Sequence, residues 1–160
     1  MKILSGVIAL LLLLAGAVWW VGMVKPSAEG GVGLVVENAR VRMLPGDRPM
    51  AGYMKIHNRT EQPWRLIDAD SEAFGRVMIH RTRVGEGRAR MQHQRDGVSI
   101  NSGETLEFKP RGLHLMLMDR TSELKIGDQV DIVLSFETLG STSSARDQVV
   151  PFTVVPVASQ

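Results

Sequence analysis

The sequence predicts an all-β fold of sandwich or barrel type, and three observations predict it. From Leu34 onward, apolar and polar residues alternate with period two in short runs. Turn-forming residues separate the runs, among them Pro45-Gly46-Asp47, Asn58-Arg59-Thr60, Gly85-Glu86-Gly87, Asp96-Gly97, Asn101-Ser102-Gly103, Pro110-Arg111-Gly112 and Gly127-Asp128. No part of this region carries the apolar stripe of a helix. Many short strands at close spacing are the pattern of two packed sheets or a closed barrel.

The first element is of another kind. Ile3 to Val24 runs for 22 residues without a charge, preceded by Lys2 and followed by Lys25-Pro26. As a helix this run is about 33 Å long, enough to cross a bilayer core. A cleavable export signal has an apolar stretch of only about 7–15 residues. Ala15-Gly16-Ala17 fits a small-x-small cleavage pattern, but Val18-Trp19-Trp20-Val21 continues the apolar run, and paired Trp residues suit a membrane interface. Length favours an uncleaved anchor. The expected organisation is a signal anchor or signal peptide at 1–25, a linker at 26–33 and a β-sandwich domain at 34–157. Either fate of the N-terminal segment puts the domain outside the cytoplasm.

The expected strands are Leu34–Met43, Ala51–Asn58, Trp64–Ala69, Val77–Val84, Arg88–Gln92, Thr105–Phe108, His114–Met118, Gln129–Glu137 and Val149–Val155. Ser71-Glu72-Ala73-Phe74 reads as one helical turn. The polar, Ser/Thr-rich stretch Gly140–Arg146 reads as a flexible hairpin loop.

Composition narrows the function. The chain has 160 residues, nine Met and no Cys. Without cysteine there are no disulfides, thiolate nucleophiles, Cys-type zinc sites or acylated lipoprotein cysteine in this sequence. The net charge of +2 comes from Lys2 and Lys25, and beyond them 17 basic residues face 17 acidic ones. A neutral domain argues against general nucleic-acid binding. The distribution is uneven, with six arginines (Arg76, Arg81, Arg83, Arg88, Arg90, Arg95) against Glu86 alone in that span. No HExxH, GxSxG or phosphate-cradling glycine motif occurs, so nothing marks an enzyme's active site.

The informative stretch is Leu113-His114-Leu115-Met116-Leu117-Met118. On a strand, His114, Met116 and Met118 share one face and the three leucines the other. With the leucines in the core, an imidazole and two thioethers stand on the outer face. That is a soft, neutral donor set suited to Cu(I) and unsuited to hard cations. Thioethers also need no deprotonation and survive where thiols oxidise. The alternative stays open at this point: Met fills cores, and a single His is commonly structural. His57 reads as structural or surface, and His93 as an auxiliary ligand or a rim residue.

At these residues the sequence resembles the periplasmic copper chaperone family PCu(A)C. That family carries a His, ten residues, a Met, about twenty-one residues, then His-x-Met. Here His80 is followed by ten residues and Met91, then by twenty-two residues and His114-Leu115-Met116. Ala51-Gly52-Tyr53-Met54, Asn58, Arg65-Leu66-Ile67 and Val77-Met78-Ile79-His80 match as well, so the likeness runs over roughly residues 33–138. It implies a cupredoxin-like antiparallel β-sandwich and a Cu(I) site of His80, Met91, His114 and Met116. It also implies delivery of copper to an accepting protein, such as cytochrome c oxidase subunit II at its CuA centre or a Sco-type protein. The chain departs from the family pattern in two ways. Thr82, Val84 and Ala89 stand where further Met residues are common, and the anchor differs from a cleaved export signal. Two other functions fit the sequence: a membrane-tethered assembly factor that docks a partner through its arginines without copper, and, less well, a copper redox enzyme.

Overall fold

The computed structural model describes residues 33–85, 87–139 and 144–157. The expected anchor at 1–25 and all but the end of the expected linker lie outside the described residues. Ten strands follow in order: β1 (Leu34–Arg42), β2 (Met50–Asn58), β3 (Trp64–Asp70), β4 (Phe74–Gly85), β5 (Arg88–His93), β6 (Val98–Ile100), β7 (Thr105–Phe108), β8 (Leu113–Arg120), β9 (Gln129–Thr138) and β10 (Ala145–Val155). The all-β expectation therefore holds for the described residues.

The strands form one hydrogen-bonded ladder, β5-β4-β8-β7-β2-β1-β10-β9-β3-β6. The ladder folds over, so that β3 near one end lies against β4 near the other. A single core fills the space between, with buried residues from every strand except β5. Phe108, Phe136 and Phe152 are its largest fully buried side chains. The sequence-based expectation of an antiparallel sandwich is corrected on two points. The halves are continuous through hydrogen bonds, and two pairings are parallel: β1 with β10, and β7 with β8. The second follows from β2, along which β7 and β8 pair antiparallel one after the other, through Met54–His57 and Met50–Gly52.

Three local expectations also change. Ser71–Phe74 is a tight turn, closed by the Phe74 N–H donating to the Ser71 carbonyl at 3.2 Å, because Phe74 is drawn into the core as the first residue of β4. Ala145 and Arg146, expected in a loop, pair with Glu137 and Phe136 and extend β10. The short β6 was not expected; its Val98 and Ile100 face the core. The Asp96-Gly97 turn before it requires glycine: φ is +74°, and a Cβ would stand 2.4 Å from the Leu66 carbonyl oxygen.

Candidate metal centre

Alternation sets the faces of β4 and β8. Val77 and Ile79 on β4, and Leu113, Leu115 and Leu117 on β8, enter the core. Met78, His80 and Thr82, and His114, Met116 and Met118, therefore project from the opposite face. The β4–β8 register places Met78 across from Met116 and His80 across from His114. The β4–β5 register places His80 across from His93 and Thr82 across from Met91. Cross-strand partners share a face. A row of three imidazoles, His93-His80-His114, thus crosses three adjacent strands, with Met91 on one side of it and Met78 and Met116 on the other.

His114 is only 8% exposed. Its Nδ1 lies 3.2 Å from the Gly112 carbonyl oxygen, which can only accept, so Nδ1 carries the proton and Nε2 keeps a free lone pair. Metal-binding histidines are held in this way. Its ring meets that of His80 edge-on, with centroids 6.0 Å apart. Both ring nitrogens of His80 are buried without a hydrogen-bond partner, an arrangement that costs about 1–3 kcal/mol per unsatisfied group. Burial first, then His114 and His93, hold the His80 pKa below its ordinary value, so the ring is neutral and its lone pair available at neutral pH. A half-buried imidazole whose two nitrogens are buried and unpaired, beside one held by its Nδ1 contact, fits a metal ion.

Three of the four residues expected as ligands, Met91, His114 and Met116, line one open cleft of about 500 Å³ together with Ala51, Tyr53 and Thr82. The fourth, His80, is in ring contact with His114. Met118, which shares their face, lies across from Arg76, four residues along β8 from His114. Met91 is 63% exposed on β5, a strand with no residue in the core. Among the described residues no three His, Asp or Glu side chains are grouped around one point. His57 is part of the scaffold: its Nδ1 lies 2.7 Å from the Thr105 hydroxyl and its Nε2 3.2 Å from Glu37.

The arginines have a different place from the one the linear sequence suggests. On β4 and β5 they alternate with the site residues, so Arg81, Arg83, Arg88 and Arg90 project from the reverse face of the hairpin. A cationic site therefore tolerates them. Sequence reasoning missed two members of the site face: Met78, which extends the thioether row, and the alignment of His93 with His80.

A family profile described as "Putative lipoprotein LpqE-like" matches residues 34–149. The "Putative lipoprotein Lxx21020" of Leifsonia xyli subsp. xyli is 31% identical over 111 residues, covering 69% of this chain and 66% of that protein. The chain spans less than two thirds of the length of the curated relatives it matches. Among solved structures, Cu(I)-bound DR1885 from Deinococcus radiodurans is 29% identical with a TM-score of 0.58, covering 82% of this chain and 83% of that one. The copper-bound PCuAC domain from PmoF2 shares the fold, with 21% identity, a TM-score of 0.61 and coverage of 78% and 94%.

Proposed function

The chain belongs to the LpqE-like family, a PCuAC family, and from this we propose that it is a periplasmic carrier of Cu(I) that hands the ion to an accepting protein. The observation that carries the reading is the cross-strand pairing of His80 with His114 beside a cleft lined by Met91 and Met116. Copper is cargo here. His114 offers Nε2, fixed by its Nδ1 contact, and His80 offers a ring nitrogen that has no other partner. Met116 arrives on the same strand face as His114. Met91 reaches in from the exposed edge on a flexible three-torsion side chain, so it is the donor that lets go during transfer. Four neutral donors favour a monovalent ion and leave no open position for a substrate. This supports a carrier over a redox enzyme.

Ile3–Val24 would tether the domain to the outer side of the inner membrane; this sequence has no cysteine to carry a lipid instead. The recipient would be a copper-accepting protein, with cytochrome c oxidase subunit II or a Sco-type protein as the candidates. A second reading, docking without copper, is favoured by the arginines on the reverse face of the β4–β5 hairpin.

Anaerobic Cu(I) titration of the purified chain against a competing chelator separates the two. One tightly held Cu(I) per chain, with Zn²⁺ bound far more weakly, is expected. Zn²⁺ binding as tight as Cu(I) would sink the carrier reading. For topology, the protein should stay in the membrane fraction through a high-salt wash, and a mature N-terminus at Val18 would overturn the anchor.

A further inference from the structure

We propose that the cleft doubles as a docking surface for an acidic stretch of polypeptide, gripped by Arg42, Arg48 and Arg111. That the stretch belongs to a copper-accepting protein rests on the carrier reading; the surface itself does not.

The three arginines line the cleft, and among the described residues no acidic side chain lines it with them. They come from separate parts of the chain: Arg42 ends β1, Arg48 lies between β1 and β2, and Arg111 lies between β7 and β8. Arg59, Arg65, Arg76 and Arg120 each pair with a carboxylate. Arg42, Arg48 and Arg111 pair with none among the described residues. Arg42 is half-buried, and its Nε is buried without a hydrogen-bond partner. Its guanidinium lies 5.7 Å from the centre of the Tyr53 ring, a stacking that holds the planar fork in place. Leu44, Pro49 and Met50 line the same cleft. Guanidinium forks match carboxylates bidentately, so unpaired forks beside apolar side chains suit a peptide that mixes acidic and apolar residues. A bilayer surface is flat and suits protruding cations, whereas Arg42 sits within a cleft.

The surface adjoins the proposed metal donors. Arg42 stands across from Ala51, and Ala51 across from Met116. With strands about 4.8 Å apart, the Arg42 and Met116 backbones are roughly 10 Å apart, and only a methyl side chain stands between them. Arg111 precedes Gly112, whose carbonyl accepts from the Thr82 N–H at 3.0 Å and lies 3.2 Å from His114 Nδ1. A segment bound by these arginines therefore lies beside Met116 and Met91, where an acceptor must come to receive the ion.

The test measures binding of a short fluorescent peptide of alternating Glu and Ala to the metal-free full chain, by anisotropy at low salt, beside its Gln and Lys counterparts. The Glu peptide should bind most tightly, and salt should release it. R42Q, R48Q and R111Q combined should weaken it by about tenfold, the product of three partly exposed charge pairs. R81Q, R83Q and R90Q combined, on the reverse face, should change it by less than about twofold, because distant charges act on encounter rate more than on affinity. Melting of the metal-free variants checks the fold, and anaerobic titration should find their Cu(I) affinity within about twofold of wild type, since neither set supplies a donor. Equal losses in the two triple variants would overturn the docking surface, and so would a Glu peptide that binds no better than its Gln counterpart; normal Cu(I) binding would then leave the carrier reading intact. Arginine-dependent binding to phosphatidylglycerol vesicles without peptide binding would also overturn it, in favour of a lipid contact. A chain that grips the Glu peptide through the three arginines but holds no Cu(I) would instead overturn the carrier reading and leave the surface standing.

Discussion

Behind His114 and Met116 on β8 lie Leu113, Leu115 and Leu117, which are 3%, 0% and 1% exposed. Behind Met91 and His93 on β5 lies nothing from the core. β8 is held by β4 on one side and by β2 and β7 on the other, with Gly52 of β2 so close that a Cβ there would stand 3.0 Å from the Leu115 Cβ. β5 is held by β4 alone. Donors of similar chemistry are thus mounted on one strand anchored by the core and by neighbours on both sides, and on one held by a single neighbour. On the proposed carrier function, holding the ion would fall to one strand and releasing it to the other, both at one cleft.

The largest expected effect that sharpens this contrast is on folding. Leu115→Ala should cost about 2–5 kcal/mol of stability in urea unfolding, whereas Val84→Ala, at the exposed end of β4, should stay within about 0.5 kcal/mol. Similar costs at both positions would erase the distinction between a rigid and a mobile mount. Next comes the rigid donor: His114→Ala should weaken Cu(I) binding by about 100-fold or more, beyond what the loss of a supporting contact produces.

A smaller loss, on the order of tenfold, is expected for Met91→Leu, which keeps the bulk and deletes the sulfur. The metal-free variant should melt with the wild type. Since a ligand that binds only the folded state stabilises it by mass action, the gain in Tm on adding Cu(I) should be greatest for wild type, intermediate for Met91→Leu and least for His114→Ala. A His114 variant that loses less than the Met91 variant would reverse the roles of the two strands. The smallest effect concerns the reverse face. Changing Arg81, Arg83 and Arg90 to Gln should slow copper transfer to an acidic acceptor a few-fold at low salt and flatten its salt dependence, with Cu(I) affinity constant. Transfer as fast as wild type at low salt would remove steering as their role.

Much of this was legible in the sequence where side chains alternate against a core. Thr105–Phe108 was anticipated to the residue, and the opposed faces of His114 and Leu115 follow from period two alone. β6 was not, because three residues are too few for a period to register between two turns. The strand character of Ala145 and Arg146 was hidden by polar composition, which β9 overrides by pairing. The union of His80 and Met91 with His114 came from family resemblance, since no local pattern links positions that far apart. The His93 alignment depends on hairpin register: the pairing of Gly85 with Arg88 carries His80 onto His93. The Gly85-Glu86-Gly87 turn pointed that way, but the count across it had to be made to find the row.

The ladder has two ends, β5 and β6. β6 is three residues long and offers a second chain almost nothing to pair with. β5 is six residues long and exposed throughout, and among the described residues no strand pairs with its outer edge. Edges of this kind invite self-association, and charged side chains are a common protection against it. Arg88 and Arg90 on β5, with Arg81 and Arg83 across from it, would bring like charges together if two copies met edge to edge. The free edge that carries Met91 is therefore also an edge at which a second copy could pair, and the arginines mounted there oppose such pairing by charge repulsion.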